Sequence, residues 1–137
     1  MKADSTTEAA VMAVLDKLAD VYTTRGVAVL STVFAADPEV VMFSPGAERV
    51  VGLADIMAKA ESDWTRSDAA SLAYGSTSVS AAGSVAWAAT DADFSVLAGG
   101  QQTTTPVRIT FVLERRGDEW LIVHAHYSLA PTRPAAD

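Results

Sequence analysis

The stretch that decides the fold runs from Val107 to Leu129 and reads VRITFVLERRGDEWLIVHAHYSL. Two runs rich in β-branched and aromatic residues flank a polar Arg-Arg-Gly-Asp segment, which is typical of a β-hairpin. Side chains of a strand alternate between its two faces. In the first run one face therefore carries Val107, Ile109, Phe111 and Leu113, and the other carries Arg108, Thr110, Val112 and Glu114.

Strict alternation in the second run gives one apolar and one half-polar face. The apolar face consists of Leu121, Val123, Ala125, Tyr127 and Leu129, and the half-polar face consists of Trp120, Ile122, His124, His126 and Ser128. The apolar face is expected to cover the core. The half-polar face is too apolar for bulk water and too polar for a core, so we expect a homodimer that forms through Trp120, Ile122, His124 and His126.

Composition narrows the classes of function. The 137 residues predict a single domain over 1–137, with a frayed tail at 130–137. A net charge of −7 argues against binding to nucleic acid or to an anionic membrane, because phosphate binding needs clustered Lys and Arg. The absence of cysteine excludes disulfides and thiolate chemistry. No apolar run reaches membrane-spanning length and no signal peptide is visible, so a cytoplasmic location is expected.

The order of elements predicts an α+β fold. Ser5 and Glu8 have the spacing of a capping box at the start of a first helix. Second and third helices are predicted over 27–34 and 53–64. Short strands are predicted over 40–43 and 49–51, and long strands from 71 onward. Three N-terminal helices can pack on one face of a strongly curved, mostly antiparallel sheet and leave a cone with a cavity between them.

Five segments resemble the SnoaL-like branch of the nuclear-transport-factor-2-like superfamily, whose fold is the same cone. They lie at 33–41 (VFAADPEVV), 52–56 (GLADI), 84–88 (SVAWA), 108–116 (RITFVLERR) and 120–128 (WLIVHAHYS). The last segment is also similar to the association domain of calmodulin-dependent kinase II. The resemblance implies the fold more than the function, since the superfamily contains isomerases, cyclases, dehydratases, epoxide hydrolases, binding proteins and scaffolds.

Asp91 and Tyr127 are the candidate catalytic residues. Asp91 shares a strand face with Trp87, and apolar surroundings would raise its pKa toward that of a general base. Tyr127 ends an apolar face and could donate a hydrogen bond to a carbonyl. Asp93 and Arg108 could extend the site toward an Asp–Arg–Asp cluster, if the hairpin register puts Arg108 on the face of Asp91. The alternative interpretations are that Asp91 is a solvated acid and that Tyr127 is a core residue.

A further set of residues is expected to line a ligand pocket: Met42, Ser44, Trp64, Trp87 and Phe111. Resemblance to the steroid isomerases places Met42 where their general-base Asp stands, and Leu18 near their oxyanion-hole Tyr. Neither side chain can perform that chemistry, so isomerisation by that constellation is not expected. His124 and His126 could be two metal ligands, but a pair at an interface is favoured, because neither Cys nor a further His completes a site.

The sequence therefore predicts a SnoaL-like protein with an apolar pocket for a small hydrophobic or polyketide-like molecule. Neither a cofactor nor a metal is expected. Two alternatives stay open. The chain could be a cofactor-independent isomerase, cyclase or dehydratase with Asp91 as base, or a non-catalytic ligand-binding or scaffold domain.

Overall fold

A six-stranded curved sheet and three helical segments make up the part of the protein that the structure describes. The structure, a computed structural model, describes residues 1–47 and 49–131. The helical segments are α1 (Ser5–Thr24), a 3-10 helix (Val27–Thr32) and α2 (Leu53–Trp64). The strands are β1 (Val41–Phe43), β2 (Val50–Val51), β3 (Ala69–Ala82), β4 (Val85–Ala98), β5 (Gln101–Arg116) and β6 (Glu119–Leu129). The predicted α+β cone is confirmed.

The sheet runs in the order β2-β1-β6-β5-β4-β3. The strands are antiparallel to their neighbours except β1, which lies parallel to β6. Helix α1 packs mainly against β3, and α2 packs against the 3-10 helix and β2. No helix in the described part of the chain is long and apolar enough to cross a membrane. Most of the tail predicted at 130–137 lies outside the described residues.

Helix α1 begins differently from the predicted capping box. Asp4 is the N-cap, and its carboxylate accepts a hydrogen bond from the Thr7 amide at 2.7 Å. Ser5 is already the first helical residue, since the Asp4 side chain one position earlier satisfies the free amide. The helix ends at Thr24, and its C-cap Arg25 adopts the left-handed conformation with a φ of 61°. The Arg25 guanidinium donates to the carbonyl of Trp64, so it holds the end of α2 beside the end of α1.

The second predicted helix is shorter than expected, and the third has the expected bounds. The 3-10 helix stops at Thr32, because Val33 and Ala35 exchange backbone hydrogen bonds with Ile122 of β6. The chain on either side of Phe34 is therefore drawn into the sheet instead of continuing as helix. Helix α2 spans Leu53–Trp64, as predicted.

The hairpin of β5 and β6 confirms the prediction for its first strand and corrects it for its second. The inward face of β5 carries Val107, Ile109, Phe111 and Leu113, all buried. In β6 the register shifts, because Val112 pairs with His124 whereas Leu113 pairs with Ile122. Val123 is thus the extra residue of a β-bulge, which reverses the alternation on its N-terminal side.

The bulge alters the predicted interface. Trp120 and Ile122 lie in the core together with Ala125 and Tyr127. The outward face instead carries Leu121, Val123, His124 and His126, together with Ser128. The prediction that Trp120 and Ile122 belong to an exposed dimer face is therefore wrong, although the placement of both histidines outside the cone is correct.

An ion pair fixes the segment that leads into β1. Arg116, at the end of β5, donates two hydrogen bonds to the two carboxylate oxygens of Asp37 and a third to Glu114. The hydrogen bonds from Arg116 hold the pKa of the Asp37 carboxyl below its ordinary value. Beyond this anchor, β1 carries Met42 toward the inside of the cone.

Candidate functional site

A cavity of about 340 Å³ lies between the concave face of the sheet and the helical segments. Its volume is at the lower end of the range for small-molecule sites, roughly 300–1,000 Å³. Apolar side chains from α1, the 3-10 helix, α2 and the sheet form most of the wall. They are Leu18, Val21, Leu30, Phe34, Met42, Pro45, Ile56, Ala60, Trp64, Leu72, Phe94, Val107 and Leu129.

Four of the predicted site residues line this cavity, and one lies behind it. Met42, Ser44, Trp64 and Tyr127 are on the wall. Phe111 is fully buried and packs edge-on against the ring of Tyr127, with the ring centroids 6.0 Å apart. Phe111 thus supports a lining residue without facing the cavity.

The predicted positions of Asp91 and Trp87 inside the cone are wrong. The inward face of β4 carries Ala86, Ala88, Thr90 and Ala92, followed by Phe94 on the cavity wall. Trp87 and Asp91 project from the opposite, convex face, where Asp91 is exposed. Because side chains of a strand alternate between its faces, burial of the even-numbered positions of β4 puts Trp87 and Asp91 on the convex side. Asp91 therefore cannot serve as a base for a ligand in the cavity.

The convex face contains its own shallow groove. Asp91 is the cross-strand partner of Arg108, so the two do share a face, with His124 and His126 also lining the groove. Asp93 pairs with Pro106 on the same strands, one step nearer the hairpin end. No cluster of three or more His, Cys, Asp or Glu that could hold a metal ion occurs among residues 1–47 and 49–131.

The main polar feature inside the cavity is a pair of tyrosine hydroxyls. Tyr22 of α1 and Tyr127 of β6 both line the cavity, and their hydroxyl oxygens are hydrogen-bonded at 3.2 Å. Each phenol has one proton, and a single proton lies between the two oxygens. The second proton of the pair is therefore free to be donated to a third acceptor. The structure shows no other hydrogen bond of either hydroxyl among the described residues.

Aromatic contacts hold the two phenols in place. The ring of Tyr22 meets the edges of Phe94, at a centroid distance of 5.7 Å, and Trp64, at 6.4 Å. Tyr127 is held by Phe111, which also contacts Tyr74 at 6.5 Å. Edge-to-face packing of this kind adds to the energy of apolar burial. The hydroxyl pair is thus preorganised before any ligand arrives.

Burial raises the pKa of each phenol in this aromatic cluster. The pKa of Tyr127 lies well above the ordinary value, chiefly because the site removes the phenolate from water. The pKa of Tyr22 is raised for the same reason, and the nearby charge of Asp63 raises it further. Both groups remain protonated at neutral pH, so the pair acts as a hydrogen-bond donor and not as a base.

An ion pair lies on the α2 wall of the cavity. Lys59 donates to the carboxylate of Asp63 at 2.6 Å, one helical turn away, and the Asp63 side chain is half exposed. Asp63 is the one carboxylate among the described residues that line the cavity. The lysine charge is compensated by this acid, so the wall as a whole is neutral.

The sequence did not predict Tyr22, Lys59 or Asp63 as site residues. Tyr22 is recognisable as the last member of the apolar stripe of α1, but 105 residues separate it from its partner Tyr127. A tyrosine at the end of an apolar helix face is a weak signal by itself. Lys59 and Asp63 have the spacing of an ordinary exposed helical ion pair, and nothing in the sequence marks them as cavity residues.

Comparison with known proteins fits this architecture. The model of the SnoaL-like domain family matches residues 11–132. The chain belongs to the SnoaL-like domain family. No curated protein matches it.

Solved structures of the same fold cover nearly the whole chain at low identity. A nuclear transport factor 2-like superfamily protein from Salmonella enterica is 19% identical, with a TM-score of 0.87 over 98% of this chain and 99% of the other. A nuclear transport factor 2-like protein of unknown function from Pseudomonas putida KT2440 is 20% identical, with a TM-score of 0.80 over 98% and 93%. The hexachlorocyclohexane dehydrochlorinase LinA, type 2, is 14% identical, with a TM-score of 0.82 over 96% and 90%. At these identities the likeness shows the fold alone.

The three tyrosines of the chain provide a test of the buried cluster. Tyr22, Tyr74 and Tyr127 all have raised pKa values in the folded protein. Because a raised pKa favours the neutral phenol in the folded state, the neutral form stabilises the fold. This stabilisation is complete below the ordinary tyrosine pKa of about 10 and is lost as the pH rises through the folded-state pKa values. We expect no tyrosinate absorbance in the native protein up to about pH 10. Ionisation should then coincide with loss of the circular-dichroism signal. A tyrosine that ionises at its ordinary pKa in the native protein would contradict the structure.

Proposed function

We propose that this protein binds a small, neutral, mostly apolar molecule in the cavity and that the tyrosine pair donates a hydrogen bond to an oxygen of that molecule. The observation that carries the proposal is the free phenol proton of the Tyr22–Tyr127 pair, which lies in a mostly apolar cavity. A buried donor without an acceptor costs free energy, and a ligand carbonyl would satisfy it. A hydrophobic or polyketide-like ligand with a carbonyl group fits this description.

The charges on the wall support a neutral ligand. Lys59 is compensated by Asp63 at 2.6 Å, so it offers no uncompensated positive charge for a carboxylate or phosphate. An anionic ligand would have to break this pair or lie beside Asp63. A cationic ligand would find half-exposed Asp63 already engaged. Hydrophobic contact and one directed hydrogen bond thus supply the binding energy.

The geometry supports binding more directly than catalysis. General-base chemistry needs a base within hydrogen-bond reach of the substrate proton. The proposed base Asp91 lies outside the cone, and both lining phenols remain protonated. Asp63 favours an isomerase or dehydratase as the second candidate, because it is the one carboxylate among the described residues that line the cavity. LinA, described as a dehydrochlorinase, has the same fold, which is compatible with such chemistry.

A set of bicyclic probes tests the binding proposal. Wild-type protein should bind 1-tetralone several-fold more tightly than tetralin, which has the same rings without the carbonyl. Each single change, Tyr22→Phe or Tyr127→Phe, leaves one hydroxyl that can still donate, so it should retain part of this preference. The double change should abolish it, with a loss of roughly fivefold in affinity for 1-tetralone, since a neutral hydrogen bond contributes about 0.5–1.5 kcal/mol.

The control for this experiment is Tyr74→Phe. The Tyr74 hydroxyl donates to the carbonyl of Leu15, and Tyr74 is not a lining residue. The control should keep the preference for 1-tetralone. Equal affinity of the wild-type protein for the two probes would overturn the binding proposal. Mass spectrometry would favour the isomerase or dehydratase if it showed that the wild-type protein converts 1-tetralone or a related ketone and that Asp63→Asn does not.

We also propose that the chain forms a homodimer through the convex face of β4, β5 and β6. Half-buried Trp87, Val112 and Leu121 give this face an apolar component. Asp91 and Arg108 lie on it as cross-strand neighbours. A face that carries both an acid and a base can match a second copy of itself across a two-fold axis. The cytoplasmic location also stays a prediction.

A pair of threonine variants on β5 tests the dimer. Thr110 is exposed in the convex groove, so Thr110→Glu should leave the monomer folded and convert the dimer to monomer, because the interface would bury an unpaired carboxylate. Thr103→Glu is the matched control, since Thr103 is exposed near the start of the same strand and outside the groove. Sedimentation should show a monomer for the first variant and a dimer for the second. A wild-type monomer, or a dimer that persists in Thr110→Glu, would contradict this interface.

A further inference from the structure

Ser44 lies just beyond β1 and faces the inside of the cone. Met42 lines the cavity, whereas Phe43 points the other way, toward the convex side. The centroid of the Phe43 ring lies 6.0 Å from that of His124 and 5.2 Å from that of His126. Alternation along an extended segment therefore turns Ser44 to the side of Met42. Ser44 is also among the residues that line the cavity.

The hydroxyl of Ser44 is buried and has no hydrogen-bond partner among residues 1–47 and 49–131. Buried polar side-chain atoms are nearly always paired, and an unpaired one destabilises the folded state. The protein thus keeps a polar atom at a wall position where alanine would fit and would cost nothing. A hydroxyl with no partner of its own, on the wall of a ligand cavity, is explained by a partner that the ligand supplies.

The position of Ser44 relative to the tyrosine pair defines the ligand further. Phe43 pairs with His126 in parallel register, so the next residue, Ser44, lies beside the backbone of Tyr127. The phenol of Tyr127 reaches away from that point toward Tyr22 on α1. Ser44 and the phenol pair thus lie at different points of the cavity wall.

We propose that Ser44 is a specificity-determining residue, which selects ligands that carry a second oxygen function in addition to the carbonyl that the tyrosine pair binds. The ligand class is a neutral cyclic molecule with a ketone at one end and a hydroxyl or second ketone at the other. This inference rests on the proposed ligand-binding function. The apolar wall accounts for the rings, the phenol pair for the first oxygen, and Ser44 for the second.

The probe for this proposal is 6-hydroxy-1-tetralone, whose hydroxyl is para to the carbon that bears the carbonyl. Wild-type protein should bind it more tightly than 1-tetralone. Ser44→Ala should lower the affinity for 6-hydroxy-1-tetralone roughly fivefold and leave the affinity for 1-tetralone unchanged. The same variant without ligand should be as stable as the wild type or more stable, because it deletes an unpaired buried hydroxyl.

Ser128→Ala is the matched control, since Ser128 belongs to the outward face of β6 and does not line the cavity. It should change the affinity for neither ketone. A lower melting temperature of unliganded Ser44→Ala, or an equal loss of affinity for both ketones, would show that Ser44 is structural and would overturn this inference. The proposed function would survive that result if 1-tetralone were still preferred over tetralin. Wild-type protein that binds none of the three probes would overturn both.

Discussion

One extra residue in β6, Val123, determines which side chains meet inside the cone. Before the bulge, Trp120 and Ile122 point inward, and after it Ala125 and Tyr127 do so. A regular strand would put one of these two sets outside. The bulge therefore allows the same strand to close the core at one end and to present the Tyr127 phenol to the cavity at the other. The hydrogen bond to Tyr22, and with it the free donor of the site, depends on this local irregularity.

Much of the fold and part of the site follow from the sequence. Periodicity predicted α2 with its bounds and the inward face of β5, because the burial of apolar side chains leaves a direct trace in the spacing of Val107, Ile109 and Phe111. The positions of Met42, Ser44, Trp64 and Tyr127 on the cavity wall were predicted from the cone that the elements imply. Each of these predictions rests on a local sequence pattern combined with a known arrangement of helices on a sheet.

The remaining features depend on geometry that a local pattern does not record. A bulge changes the face of every residue on one side of it, and the run of Leu121, Ile122 and Val123 has similar apolar character in either register. Asp91 and Trp87 do share a face, but it is the convex face, and the sequence of β4 does not show which of its two faces turns inward. Tyr22 meets Tyr127 across 105 residues of chain, so only the folded structure shows them as a pair.

The cavity thus combines apolar walls, a protonated phenol pair and a neutral ion pair, which together suit recognition of an uncharged, oxygen-bearing ligand. A crystal structure of the protein with 1-tetralone tests this account most directly. The account predicts that the bicycle occupies the cavity, with its carbonyl oxygen within hydrogen-bond distance of the Tyr22 or Tyr127 hydroxyl. Two results would contradict this account. The ketone would bind in the convex groove beside Asp91 and Arg108, or it would bind in the cavity with its carbonyl turned away from both phenols.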